Sequence, residues 1–279
     1  MSSSPISDNP YRSIRAEVQR VIPETPTIKT IRMKLTEDLP FRPGQFIEMS
    51  IPGSGEAPFT PSSPCYQKEH MDVTVMKVGK VTELIHRLEP GDTVGLRGPF
   101  GRGYPLDDFA GKEVLVVGGG VGFAPLRTLM YSLFEMRDRL ARLIYRGGCR
   151  CPEELLYTDE IKGWGDRPDL DMVLCVDACT LEDRWDGPVG VVTTVLDGID
   201  FNPRNAVGVA CGPPIMMKFT TYKFQELGIP DENIYLSMEK NMSCGIGKCG
   251  HCRIGSYYCC KDGPVFTYAE IKDFPGIWD

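Results

Sequence analysis

Val114-Leu115-Val116-Val117-Gly118-Gly119-Gly120-Val121-Gly122-Phe123-Ala124-Pro125 is an apolar run, then a glycine turn, then the opening of a helix-period pattern through Met136. Apolar runs without polar alternation belong to strands covered on both faces, as in parallel sheets. Residues 141–145, 172–176 and 206–210 repeat that character, and Ile234–Ser237 reads as the last such strand. Helical stretches are expected between them at about 153–162 and 215–227. Strands alternating with helices predict an α/β domain with a parallel sheet and crossover helices.

The glycine turn follows its strand directly and opens a helix, where backbone amides and the helix start can hold a pyrophosphate. Its order departs from G-x-G-x-x-G, so a tight turn without a ligand is the competing reading. A second turn, Cys211-Gly212-Pro213-Pro214, stands in the same context after another apolar run. Both therefore belong to the carboxyl edge of the sheet, where parallel sheets bind ligands. Cys211 itself also suits a small buried filler.

Outward toward the N-terminus the period changes. Residues 14–22, 27–35, 45–51, 71–77 and 93–97 alternate apolar and polar, separated by turns such as Arg42-Pro43-Gly44 and Glu89-Pro90-Gly91-Asp92. Short alternating strands at this spacing predict an antiparallel β-barrel, interrupted by one helix at about 81–88. The first boundary falls near residues 104–111.

Outward toward the C-terminus lies Cys244-Gly245-Ile246-Gly247-Lys248-Cys249-Gly250-His251-Cys252, followed by the adjacent pair Cys259 and Cys260. Four residues, then two, separate the first three cysteines; a fourth ligand comes from either member of the pair. That is the spacing of plant-type [2Fe–2S] loops, and glycines there let backbone amides approach the sulfurs. A structural zinc site is the alternative, but zinc ribbons use two well-separated short knuckles, and this is one glycine-lined loop. Cys65, Cys149, Cys151, Cys175 and Cys179 have no ligand spacing.

Composition narrows the function classes. The chain has 279 residues, 42% hydrophobic and 25% charged, in the range of globular proteins. A net charge of −7 argues against nucleic acid. The start MSSSPISDNP has neither a cationic nor an apolar signal region, and no run reaches membrane-span length. Eleven cysteines then read as thiols and metal ligands in a reducing cytoplasm. A dinucleotide gives up two electrons as hydride, whereas a [2Fe–2S] cluster accepts one. A flavin resolves the mismatch, so the N-terminal barrel is where a flavin site is expected.

With these parts in this order, the chain resembles the ferredoxin–NADP reductase superfamily over essentially its whole length. It is most similar to the iron–sulfur flavoprotein electron-transfer subunits of dihydroorotate dehydrogenase and of cytosolic [NiFe] sulfhydrogenases. The tail Cys260-Lys261-Asp262-Gly263-Pro264-Val265-Phe266 carries that similarity, and Thr267-Tyr268-Ala269-Glu270-Ile271 looks most like the hydrogenase type. The resemblance implies domains at 1–108 (FAD-binding barrel), 109–236 (Rossmann-like, NAD(P)-binding) and 237–279 ([2Fe–2S] lobe).

The superfamily's Arg-x-Tyr-Ser/Thr flavin segment matches Ala57-Pro58-Phe59-Thr60-Pro61-Ser62-Ser63. Phe59 would stack on the flavin and Thr60 reach its N5 region, with Ser62 and Ser63 alongside; Ala57 replaces the arginine expected at the pyrophosphate. Gly79, Lys80, Val81 and Thr82 match the second FAD segment, although Phe59 as core and Thr82 as a helix cap is the other reading. Gly98-Pro99-Phe100-Gly101 matches the turn that closes the barrel. Gly119, Gly120, Gly122 and Pro125 would line the NAD(P) pyrophosphate, with Cys211, Gly212 and Pro213 beside the nicotinamide and no acid–base catalyst required. Arg150 would face the adenosine ribose or phosphate, and Arg146 and Arg150 together permit a 2′-phosphate. The implied cluster ligands are Cys244, Cys249, Cys252 and Cys260; in an extended 257–260 segment the two adjacent thiols would point oppositely.

The expected role is an electron-transfer subunit that moves electrons between NAD(P)H, FAD and a [2Fe–2S] cluster. Its partner would be a hydrogenase or heterodisulfide-reductase-like complex. The rivals are a self-sufficient NAD(P)H reductase of a soluble carrier or sulfur compound, a redox sensor, and a zinc-stabilised interaction subunit.

Overall fold

Ile14, Ala16 and Val18 alternate with Arg15, Glu17 and Gln19, and strand β1 (Ile14–Thr25) buries the first set while exposing the second. The computed structural model describes residues 9–180 and 185–279, so the serine-rich start read above lies outside the described residues. The chain divides into two compact units: residues 1–104, 124–132 and 238–265 form the first, and the remainder forms the second.

In the first unit, β1 is joined by β2 (Ile28–Leu35), β3 (Phe46–Ile51), β4 (Gly55–Phe59), β5 (Met71–Met76), helix α1 (Lys80–Ile85) and β6 (Thr93–Phe100). The strands form a six-stranded sheet in the order β4-β3-β6-β1-β2-β5, every pairing antiparallel. Among the described residues β4 and β5 share no ladder, and an isolated bridge joins Pro61, two residues past β4, to Val73 of β5, so the barrel is a curled sheet and not a closed cylinder. Strand β4 adds to the strands read from the sequence and contains Pro58; an edge strand tolerates proline, since one side of its backbone needs no partner. Ile31, Met33, Ile47, Met49, Val73 and Leu96 make the core of this unit.

In the second unit, β7 (Glu113–Gly119) leads into α2 (Phe123–Glu135), whose residues 124–132 count with the first unit. Then come β8 (Arg142–Cys149), α3 (Thr158–Gly165), β9 (Asp171–Val176), β10 (Ala206–Cys211), α4 (Pro214–Glu226) and β11 (Ile234–Ser237). The sheet runs β14-β11-β10-β7-β8-β9, with β7, β8, β9, β10 and β11 parallel; β14 (Val265–Thr267) adds a strand after the one expected to be last. Every residue of β10 is buried, as its unbroken apolar run requires.

The helix expected at 153–162 begins later. Leu156 and Tyr157 are buried, and Tyr157 adopts a left-handed conformation (φ 54°) that starts α3 only at Thr158. The cysteine-bearing stretch carries a hairpin of β12 (Arg253–Ile254) and β13 (Tyr257–Tyr258), then α5 (Cys259–Asp262); α6 (Tyr268–Ile271) follows β14. No helix among the described residues is long and apolar enough to cross a membrane.

Candidate functional site

Gly245, Gly247 and Gly250 all take positive φ, near 72°, 71° and 83°. Those turns swing backbone amides toward sulfur. The amides of Ile246, Lys248 and Cys249 point at Cys244 Sγ at 3.5, 3.3 and 3.5 Å, and that of Gly247 points at Cys260 Sγ at 3.0 Å. The Cys260 amide in turn donates to Cys252 Sγ at 3.5 Å. Burial raises the Cys244 thiol, but the three amides more than offset it and hold the group at about 6. A preformed thiolate wrapped in N–H donors suits a cluster ligand, because the same donors stabilise the extra negative charge of the reduced centre. The donor set therefore fits an iron–sulfur group. Among the described residues no three His, Cys, Asp or Glu side chains converge as the ligands of a single ion do.

Cys259 and Cys260 separate cleanly. Cys259 Sγ donates to the Met238 carbonyl at 3.3 Å, whereas Cys260 faces Gly247 of the glycine loop. The separation does not come from strand alternation, as expected above: the two residues open α5, where successive side chains diverge by about 100°. Burial, followed by the neighbouring Cys252 thiol, pushes Cys260 up to about 12.

Beneath this loop lies a charged group that sequence reasoning missed. Arg97 of β6 donates to both oxygens of Glu56 at 3.0 and 2.6 Å, to the Pro10 carbonyl at 2.9 Å and to the Cys244 carbonyl at 3.4 Å. Glu48, paired in register with Arg97, is fully buried, and neither of its carboxylate oxygens has a hydrogen-bond partner among the described residues. Burial, reinforced by Glu56 and opposed by Arg97, raises its carboxyl to about 7. A Cβ added at Gly245 would lie 3.2 Å from Glu48 Oε1. Part of the signal is in the sequence: Glu48 and Arg97 stand beside apolar residues in the stretches read as strands, 45–51 and 93–97, whereas Glu56 lies outside every strand read there. The tail is fastened as well, since the Arg102 guanidinium donates twice to the Val265 carbonyl, at 3.0 and 2.8 Å.

In the barrel, Phe59 closes β4 and Thr60 follows it, both half-buried. Ser62 and Ser63 are buried with their hydroxyls committed, Ser62 to Thr74 at 2.9 Å and Ser63 accepting from the Asp72 amide at 3.1 Å. Thr128 donates to the Pro61 and Ser63 carbonyls at 2.7 Å each, and Arg127 to the Ser62 carbonyl at 3.0 Å. The segment's backbone is thus held from α2. The Thr82 hydroxyl accepts the Val78 and Gly79 amides, at 2.9 Å each, and so acts as a local cap of α1, while Gly79 and Lys80 are exposed and Val81 is half-buried.

In the second unit the two turns meet. A Cβ at Gly122 would overlap the Cys211 carbonyl, and Gly120 (φ 52°) lies against Pro213. Cys211 is paired in register with Gly118, and Gly212 has φ 159°. Gly119 closes β7, and Pro125 stands in the first turn of α2. The two arginines differ. Arg146 is buried and bound to Asp171 at 2.9 Å and to the Val195 carbonyl at 3.0 Å, whereas the Arg150 side chain is 80% exposed beside Glu154 at 3.2 Å.

Known proteins match these parts in the same order. An oxidoreductase FAD-binding domain model matches residues 16–104, an oxidoreductase NAD-binding domain model 116–221, and the iron–sulfur cluster binding domain of dihydroorotate dehydrogenase B 239–272. The chain is 36% identical to the sulfhydrogenase 1 gamma subunit of Pyrococcus furiosus, over 98% of this chain and 97% of that one. It is 34% identical to the probable dihydroorotate dehydrogenase B (NAD(+)) electron transfer subunit of Methanocella arvoryzae, over 91% and 90%. A solved structure of an NADH-dependent reduced ferredoxin–NADP oxidoreductase, described in connection with flavin-based electron bifurcation, superposes with a TM-score of 0.73. It is 27% identical and covers 92% of this chain and 89% of that one.

Proposed function

Because the chain belongs to the family of sulfhydrogenase gamma subunits and dihydroorotate dehydrogenase B electron-transfer subunits, we propose that it links NAD(P)H to a hydrogenase or heterodisulfide-reductase-like complex. It is an oxidoreductase subunit with FAD-binding, NAD-binding and iron–sulfur segments. Bound FAD would supply the conversion between hydride and single electrons, and a [2Fe–2S] cluster the one-electron relay.

The chain's own work is positioning. Residues 1–108 would hold FAD, with Phe59 against the flavin and Thr60 near its reactive edge; Ser62, Ser63 and Thr82 would act by fixing the backbone of the two FAD segments, and Gly79, Lys80 and Val81 would hold the pyrophosphate. Residues 109–236 would take the dinucleotide on Gly119, Gly120, Gly122 and Pro125, with Cys211, Gly212 and Pro213 at the nicotinamide and Arg150 at the adenosine end. Residues 237–279 would hold the cluster on Cys244, Cys249, Cys252 and Cys260. Cys249 is exposed, and Lys248, His251 and Arg253 beside it are exposed too, giving a rim of opposite sign to the −7 chain. Such a rim steers an acidic partner surface. With eleven cysteines and no disulfide among the described residues, a cytoplasmic location accompanies this reading.

The observation that carries the reading is the set of amide-to-sulfur bonds on Cys244 and Cys260. The test is an anaerobic spectrum of the purified chain with iron and sulfide assays, before and after NADH or NADPH. Flavin and iron–sulfur bands that bleach with dinucleotide, and dye reduction without turnover of any metabolite, are expected. Rapid turnover of sulfite, polysulfide or orotate by the lone chain would identify a complete enzyme instead, and zinc in place of iron a structural lobe.

A further inference from the structure

We propose that Arg97 is a positioning residue for the iron–sulfur centre, holding the Cys244 carbonyl and placing a fixed positive charge under the loop so that the reduced cluster is favoured. This rests on the reading of Cys244 as a cluster ligand. Arg97 is only 6% exposed, and each of its nitrogens is engaged: Nε and Nη2 on Glu56, Nη1 on the Pro10 carbonyl, and Nη2 also on the Cys244 carbonyl. Its guanidinium also faces the rings of Phe100 at 5.4 Å and Tyr11 at 6.0 Å. A guanidinium so held keeps its charge at every working pH and cannot rotate away. In a buried setting that charge acts through low dielectric and is felt strongly a few ångströms off.

The anchoring acid matters as much as the arginine. Glu56 sits on β4 three residues before Phe59, so Arg97 links the strand of the flavin segment, by its ion pair with Glu56, to the loop of the first cysteine, by its hydrogen bond to the Cys244 carbonyl. The two charges have opposite effects on a centre that becomes more negative on reduction. Arg97 favours the added electron and Glu56 disfavours it.

The test is an EPR-monitored redox titration of the full chain carrying Arg97→Gln or Glu56→Gln, with iron and acid-labile sulfide assayed first. Arg97→Gln is expected to disfavour cluster reduction about tenfold, which for a one-electron couple is about 59 mV downward. Glu56→Gln is expected to move the potential upward. General loosening of the loop would move both variants the same way, so opposite signs support the role, while equal signs or unmoved potentials overturn it. Should Arg97→Gln fail to hold the centre, the direction of the Glu56→Gln shift alone decides. Absence of iron and sulfide from the unmodified chain would refute the cluster reading itself, a different outcome from a cluster whose potential ignores both residues.

Discussion

The amide of Gly247 points at Cys260 Sγ from 3.0 Å, and it does so from a left-handed turn with φ near 71°. That bond joins the glycine loop to the second half of the cysteine set across thirteen positions of sequence. Cys259, one residue earlier, donates its S–H hydrogen bond to the Met238 carbonyl and is turned away from the loop. Cys260→Ser should therefore lose most of the iron and the EPR signal of the reduced cluster, whereas Cys259→Ser should retain both. The reverse pattern would reassign the fourth ligand.

Asp72 is a buried acid of the first unit that, unlike Glu48, is fully paired. It accepts from Arg32 at 2.8 and 2.9 Å and from Arg127 at 3.2 Å. Burial alone would raise its carboxyl, but the Arg32 bond and the Arg127 charge outweigh it and hold the group below the usual carboxylate range. A depressed folded-state pKa means stability that is complete above about pH 4, the ordinary carboxylate value, and is lost as pH falls through the lower folded value. Asp72→Asn should cost about 3–5 kcal/mol, because Arg127 is left buried without its counter-charge. Thermal melts should drop by roughly 10 °C at pH 7, and the gap should close on acidification.

Gly122 has no room for a side chain against the Cys211 carbonyl. Gly122→Ala should push the two turns apart and slow flavin reduction by NAD(P)H about tenfold or more, the effect of 1–3 kcal/mol of overpacking. Reduction of the flavin by dithionite should be unchanged, as measured by stopped flow.

On the proposed reading, dinucleotide selectivity would rest with Arg150, since Arg146 is buried and bound to Asp171. Arg150→Ala should raise the KM for NADPH severalfold and leave that for NADH in place, because an exposed Arg150 can exchange its solvent-facing pair with Glu154 for a 2′-phosphate. Equal effects on both cofactors would remove Arg150 from the site. Arg146→Ala should instead lower the melting temperature.

Ala57 stands half-buried on β4 where the superfamily segment carries arginine. One charge-assisted phosphate contact is worth about 1.5–3 kcal/mol. Ala57→Arg should therefore retain FAD through gel filtration at roughly ten- to hundred-fold lower protein concentration than the unmodified chain. No gain would mean that Lys80 or another cation already serves the phosphates.

What the sequence by itself determined was periodic or closely spaced. Alternation in Ile14, Ala16 and Val18, the unbroken apolar runs of β7 and β10, and the four-then-two cysteine interval each express one local rule, legible because side-chain direction repeats along the chain. The electron count that demanded a flavin was likewise chemistry and not geometry. The resemblance implied Cys260 over Cys259, but the local residues alone left either open, and the tertiary structure turns Cys260 toward Gly247 and Cys259 toward Met238. Only that structure decided that Arg146 is buried while Arg150 is not, and that β4 forms despite Pro58. It alone placed Arg97 against Glu56 and Cys244, residues 41 and 147 positions away. Those outcomes depend on which distant backbone atoms and charges arrive beside a side chain, and no repeat in the sequence encodes them. The helix expected at 153–162 starts late for the same reason, because burying Leu156 and Tyr157 overrode the local helical pattern and delayed α3 to Thr158.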